Sequence, residues 1–310
     1  MSIPHFPGGL ADLGGYSVFV RTAPSADAEP ALFVHGLAGS SRNWTDLMDR
    51  LRPGLDCAAL DLPGFGDSPP RPDGRYSIDA LAQTTAALIE RQGRGPVHLI
   101  GNSLGGAVSL RLAARRPGLV RTLTLISPAL PDTHPRPDLV RFPLLGIPRL
   151  GNLLLTRYQA LPAERRVANT FAGCYADPGR VPQDRFDQEV TELKRRDTLP
   201  YANDALLGGV QAIVTEGLRP RRAWRDATTV TVPTLVLYGT GDRLVSARMA
   251  GRAARTFPRA RVVVLPGTGH VAQMEHPEQV AAEMQTLGIP APAGRLTEED
   301  NRGNVTPRPF

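Results

Sequence analysis

Short apolar runs recur through the first 126 residues, separated by stretches in which apolar residues return every three or four positions. The runs Tyr16–Val20, Ala31–Val34, Leu55–Leu60, Val97–Ile100 and Thr122–Ile126 predict strands. Most are apolar throughout rather than alternating, the pattern of parallel strands covered on both faces. Between them, Asn43–Leu51 and Ser103–Arg116 predict helices. A third helix is capped by Ser77, lines up Ile78, Leu81, Ala82, Thr85, Leu88 and Ile89 on one face, and stops at Gly93. Repeated strand–helix units predict an open α/β sheet with helices on both faces.

The rhythm breaks after Ser127-Pro128. From Ala129 to about Asp226 the chain is rich in Pro and Arg and reads as helices with few strands. It resumes with strand Thr234–Tyr238, helix Ser246–Phe257, strand Arg261–Leu265 and a last helix from Pro277 to Leu287. The expected organisation is therefore a core of residues 1–128 and 227–288, a helical cap of residues 129–226, and a disordered tail over 289–310. Within the insertion, Phe142–Leu155 is apolar but interrupted by Pro143, Gly146, Pro148 and Gly151. That predicts short pieces lining the underside of a lid above an apolar pocket.

Composition narrows the class. The chain has 310 residues, 41% hydrophobic and 21% charged, the balance of an ordinary globular protein. Its net charge of +6 comes from 36 basic residues, of which only Lys194 is lysine, a bias expected of a GC-rich coding sequence. The arginines are interleaved with Asp and Glu instead of forming a stripe, so no nucleic-acid partner is expected. There is no apolar run long enough for an integral membrane segment. The opening residues show neither a basic n-region nor an apolar h-region, which makes the cytoplasm the expected location. Cys57 and Cys174 have neither metal-site nor disulfide spacing and are expected as buried or half-buried thiols. No motif speaks to oligomeric state.

Gly101-Asn102-Ser103-Leu104-Gly105 follows a predicted strand and opens a helix, the setting of a nucleophile elbow. A turn that tight lifts the Ser103 hydroxyl over the sheet and leaves the N–H of Leu104 free to donate to an oxyanion. A serine hydroxyl needs a base. His270, in the Gly-rich loop after strand Arg261–Leu265, is the candidate; His5, His35, His98, His134 and His276 sit in Pro-flanked, intra-strand or capping contexts. Asp242, in the loop after Thr234–Tyr238, is the acid that would hold the imidazole tautomer, with Asp132 in reserve. The second oxyanion donor is expected from the backbone of Leu37. His35, Gly36 and Asn102 flank these donors and are expected to contact the substrate. A weaker reading is a Gly-rich turn with a capping serine in a ligand-binding protein without catalysis.

Five stretches carry a resemblance: HGLAGSSRNW at 35–44, DLPGFGDS at 61–68, GNSLGG at 101–106, GTGDRLV at 239–245 and GTGHVAQMEHPE at 267–278. Together the chain resembles the α/β-hydrolase superfamily, in its group with a helical cap. The resemblance implies a mostly parallel eight-stranded sheet, the order Ser103, Asp242, His270 for the triad, and no cofactor. Dehalogenases and epoxide hydrolases of this fold use Asp at the elbow, which Ser103 excludes. Asn102 resembles the meta-cleavage-product hydrolases, which cut C–C bonds, but Val271 stands where those enzymes typically carry Trp. The expected activity is hydrolysis of a small hydrophobic carboxylic ester, with C–C hydrolysis as the alternative.

Overall fold

The computed structural model describes residues 3–132 and 142–289; His134 and the tail beyond Ile289 lie outside them. Eight strands form one sheet: β1 (Gly8–Asp12), β2 (Ser17–Ala23), β3 (Glu29–Val34), β4 (Leu55–Leu60), β5 (Val97–Asn102), β6 (Val120–Ile126), β7 (Thr234–Gly239) and β8 (Ala260–Leu265). Their spatial order is β1-β2-β4-β3-β5-β6-β7-β8. The pairs β1–β2 and β2–β4 are antiparallel, and every other pair is parallel. This is the mostly parallel, eight-stranded α/β sheet expected. β1 escaped the sequence pattern because GGLAD has no apolar run; it is an exposed edge strand held by its ladder to β2. β2 runs to Ala23 because Val20–Ala23 pair with Cys57–Leu60 of β4.

Alternate residues of the central strands feed two cores. Leu32 and Val34 pack on one face with α2 (Ile78–Gln92) and α3 (Leu104–Arg115). Ala31 and Phe33 pack on the other with α1 (Thr45–Leu51), where Leu47 and Met48, with Trp44 just before the helix, are fully buried. The predicted helix at 43 begins as a 3-10 turn, Ser41–Trp44, because Ser40 caps the turn and Asn43 closes the box onto the Ser40 N–H.

Between β6 and β7 the described chain is helical: α4 (Pro148–Gln159), α5 (Ala163–Cys174), α6 (Gln183–Asp197), α7 (Ala202–Gly217) and α8 (Pro220–Thr229). The expected boundary at 226/227 falls inside α8. Buried Trp224 and Ala227 pack α8 onto the same core as α3, so this helix goes with the sheet. The chain then continues through α9 (Met249–Thr256), α10 (Ala272–Glu275) and α11 (Pro277–Gln285). The helix expected from Ser246 starts three residues later, the Ser246 hydroxyl instead accepting from the Arg248 N–H. Ile289, assigned to the disordered tail, is buried against the second core.

Arg111 of α3 joins these layers. It is 1% exposed and meets Asp79 of α2 at 2.8 Å, Glu216 of α7 at 2.5 Å, and Asp226 of α8. A buried guanidinium with three carboxylates from three helices is tolerable only as a set, since removing one member strands a charge. Burial raises both thiols, Cys57 and Cys174, to about 12, so neither is an activated nucleophile. No helix among the described residues is long and apolar enough to cross a membrane.

His98 in β5 is 2% exposed; its Nδ1 faces Thr122 Oγ1 at 2.8 Å and its Nε2 faces Glu29 Oε2 at 2.8 Å. Burial lowers its pKa, and Glu29 only partly opposes this. The folded-state value thus lies below the unfolded value of about 6.5, and the unfolded chain binds protons first on acidification. Stability should be complete above that pH and fall as pH drops through it. Urea midpoints should therefore decrease from pH 7.5 to 5.5, and the decrease should be smaller in His98→Gln. An identical decrease in the variant would assign the effect to other groups.

Candidate active site

Three loops leave the C-terminal ends of β5, β7 and β8, parallel strands on one side of the sheet, where open α/β sheets gather their ligands. The first carries Ser103. Its backbone sits at φ 53°, ψ −115°, a conformation rare outside glycine. The Ser103 N–H donates to Ile126 O at 3.0 Å, while its carbonyl accepts from Ala107 and Ala129 at 3.1 and 2.9 Å. Gly101 and Gly105 make the turn possible. A Cβ on Gly105 would collide with the Val34 carbonyl, and one on Gly101 with the Gly105 carbonyl. Ser103 is 9% exposed, and Leu104 opens α3, where the first N–H groups have no intrahelical acceptor.

Asp242 and His270 meet: Nδ1 lies 2.9 Å from Oδ2. The other oxygen of Asp242 accepts from the N–H groups of Leu244 and Val245 at 2.7 and 2.9 Å. Burial alone would raise the Asp242 pKa, but the His270 imidazole and the Val245 N–H outweigh it and hold the carboxyl below its ordinary range. An ionised carboxylate locks the proton of His270 on Nδ1 and leaves Nε2 as the basic nitrogen.

The remaining expected residues divide. Gly36 lies against Ser103: a Cβ there would stand 3.2 Å from Ser103 Cβ. Leu37 and Leu104 both lie under Gly209 of α7, whose missing side chain lets that helix close onto them. Asn102 and His35, expected to touch substrate, are instead internal. Asn102 is 3% exposed, and its amide donates to Ile126 O at 3.1 Å and His270 O at 3.0 Å, tying the Ser103 turn to the backbone of His270. His35 is fully buried, with Nδ1 on Gly36 O at 2.7 Å and Nε2 accepting from Leu62 N at 2.9 Å. Burial lowers its pKa, so it is a neutral loop anchor.

The apolar stretch 142–155 forms a 3-10 turn (Phe142–Gly146) followed by α4, with Pro148 in its first turn. Leu144, Ile147 and Leu153 are exposed, contrary to the lid-lining expectation. Leu155 is buried and, with Ala38, Phe65, Tyr158, Leu193 and Leu206, lines a pocket beside the Leu37 loop.

Two anchoring carboxylates escaped the sequence reading. Asp61 accepts from Ser41 N at 2.5 Å and Asp67 N at 2.8 Å. Glu275 accepts from Gly269 N at 2.6 Å, Asp177 N at 3.0 Å and Ala176 N at 3.3 Å. Both stand inside the quoted stretches DLPGFGDS and GTGHVAQMEHPE, so repeated motif acids beside Gly-rich turns were the available signal.

The arrangement predicts that Asp242→Asn lowers kcat by about 10²–10⁴-fold through the wrong tautomer, while Asp132→Asn is mild. Steady-state kinetics on the two variants decide it; the reverse ranking would move the acid to the end of β6.

Comparison with known proteins gives a consistent picture. A family model described as alpha/beta hydrolase fold matches residues 30–277. A 2-(acetamidomethylene)succinate hydrolase of Mesorhizobium japonicum is 30% identical over 275 residues, 88% of this chain and 92% of that protein. The dihydrolipoyllysine-residue acetyltransferase component of the acetoin cleaving system of Pseudomonas putida is 30% identical over 88% of this chain, which spans only 67% of that longer protein. Among solved structures, a 2-hydroxy-6-oxo-6-phenylhexa-2,4-dienoate hydrolase from Rhodococcus superposes with a TM-score of 0.74 at 20% identity, covering 92% of this chain and 99% of that one.

Proposed function

The chain belongs to the α/β-hydrolase fold family, and on that premise we propose that it is a serine hydrolase that cleaves small hydrophobic carboxylic esters through an acyl-enzyme. The observation that carries the reading is the buried Asp242–His270 pair, 2.9 Å apart, joined through Asn102 to the strained turn that bears Ser103. Ser103 Oγ attacks the ester carbonyl while His270 Nε2 takes its proton. The carbonyl oxygen becomes an oxyanion, met by the N–H groups of Leu37 and Leu104. Collapse breaks the C–O bond, and His270 returns the proton to the leaving alcohol. Water, deprotonated by His270, then attacks the acyl-Ser103 ester; collapse breaks the Ser103 Oγ–acyl bond, His270 returns the proton to Ser103 Oγ, and the acid leaves.

The pocket lined by Leu155, beside the Leu37 loop, supports a second reading of the substrate. Arg196 of α6 lines it, with Nη1 on Ala38 O at 2.8 Å. A guanidinium there suits a substrate that also carries a carboxylate, as the name of the Mesorhizobium relative's substrate does. Comparing butyrate and succinate monoesters separates the readings: the hydrophobic one expects the butyrate ester to be preferred.

A fluorophosphonate should add one equivalent at Ser103, and Ser103→Ala should lower kcat by roughly 10³-fold or more with the fold intact. Full ester hydrolysis by that variant would remove the mechanism; no hydrolysis by the unaltered chain would leave the non-catalytic alternative, and cleavage of a vinylogous 1,5-diketone instead of esters would favour the C–C hydrolase.

If the Leu155 pocket receives the acyl group, butyrate esters should exceed acetate in kcat/KM, each buried methylene contributing about 0.8 kcal/mol. Leu155→Ala should reduce that preference. An unchanged chain-length profile would place the acyl group elsewhere.

A further inference from the structure

The main chain around His270 is held from outside its own loop. Its N–H donates to Cys174 O at 2.6 Å, at the end of α5 in the inserted helices. Its carbonyl accepts from the Asn102 amide at 3.0 Å. The N–H of the preceding residue, Gly269, donates to Glu275 Oε2 at 2.6 Å. The same carboxylate reaches across to the inserted segment, accepting from Ala176 N and Asp177 N at 3.3 and 3.0 Å. Glu275 is 4% exposed.

Packing follows the same seam. Val271 and Met274, which flank the histidine's loop, pack against the small core of Val167, Phe171, Tyr175 and Val190 that belongs to α5, α6 and their connection. At Gly269 the two backbones touch: a Cβ would fall on the Cys174 carbonyl and 2.5 Å from Ala176 N. A buried carboxylate that accepts three backbone N–H groups from two distant segments acts as a rivet, because releasing either segment leaves a buried charge undersolvated.

We propose that Glu275 is a positioning residue for His270, fastening the histidine's loop to residues 174–177 so that His270 reaches its working place only when the inserted helices are docked there. The proposal rests on the triad reading above. It explains why an insertion more than ninety residues away in sequence contributes a hydrogen bond to the histidine's own backbone. Glu275 does not touch the reacting atoms, so its effect should appear in turnover rather than in substrate affinity.

The test is Glu275→Gln in the full chain, assayed on a p-nitrophenyl butyrate series, alone and in the His270→Ala background. Glu275→Gln keeps the side-chain shape and one acceptor oxygen but loses the charge. The expected result is a fall in kcat of about tenfold or more with KM within about twofold, and a matching fall in the rate of fluorophosphonate labelling. In the His270→Ala background the same substitution should change the residual rate by less than about twofold, because the two residues act as one unit. Unchanged kcat in Glu275→Gln, or equal losses in both backgrounds, would overturn the proposal while leaving the triad in place. Full activity of His270→Ala alone would instead overturn the triad reading and this proposal with it. Should Glu275→Gln fail to fold, Gly269→Ala presses on the same seam from the other side; the same split between kcat and KM supports the proposal, and wild-type kcat overturns it.

Discussion

The backbone of Ser103 is held where an L-residue does not rest by itself. A non-glycine residue at positive φ costs of the order of 1–3 kcal/mol, and it persists only where its surroundings over-determine it. Three backbone hydrogen bonds, to Ile126, Ala107 and Ala129, supply that determination, and they bind the turn to β6 and to the segment after it. The close approach of Gly105 to the Val34 and His35 carbonyls adds the other side. It presses α3 onto β3, so the serine turn and the Leu37 loop keep one separation. A side chain at Gly105 would push α3 away from β3 and separate Ser103 from the Leu37 loop.

Around this turn the loops at the strand ends are organised by buried carboxylates that accept backbone N–H groups. Asp61 gathers Ser41 and Asp67, Asp242 gathers Leu244 and Val245, and Glu275 gathers Gly269, Ala176 and Asp177. Each solves one problem, the unsatisfied donors of a tight turn under cover. Asp242 also meets an imidazole at hydrogen-bond distance, that of His270. A loop anchor of the same kind thus also orients a histidine, its second oxygen lying 2.9 Å from His270 Nδ1.

The sequence was most legible where a single segment carries its own signal. β3 to β7 are short apolar runs, and Ser103, Asp242 and His270 each follow such a run in a Gly-containing loop. Legibility failed where the cause is a partner distant in sequence. β1 exists because β2 pairs with it. Asn102 looked like a substrate contact because it precedes the nucleophile, yet its amide is consumed by carbonyls at Ile126 and His270. His35 looked available until Leu62 was placed on its free nitrogen. The excess of arginine, read as compositional bias, includes buried struts: Arg111 to three acids, Arg185 to Asp46, and Arg166 to Asp197. Spacing along the chain does not encode which arginine finds a carboxylate on another helix.

The inserted helices are bound to the sheet at points of different character. At α8 and Arg111 the attachment is apolar packing plus a buried ionic cluster, which resists opening because a separated charge would stay undersolvated. At α7 the close approach is made by glycine, Gly209 over Leu37 and Leu104 and Gly208 over Tyr76, while Glu216 of the same helix joins the Arg111 cluster. Between them Leu144 and Ile147, ahead of α4, and Leu153 within it are exposed, while Leu155 of the same helix lines the pocket. The inserted helices are therefore fixed to the core by a buried ionic cluster at α7 and α8 and by the Glu275 hydrogen bonds at residues 174–177, two attachments whose opening would leave a charge undersolvated.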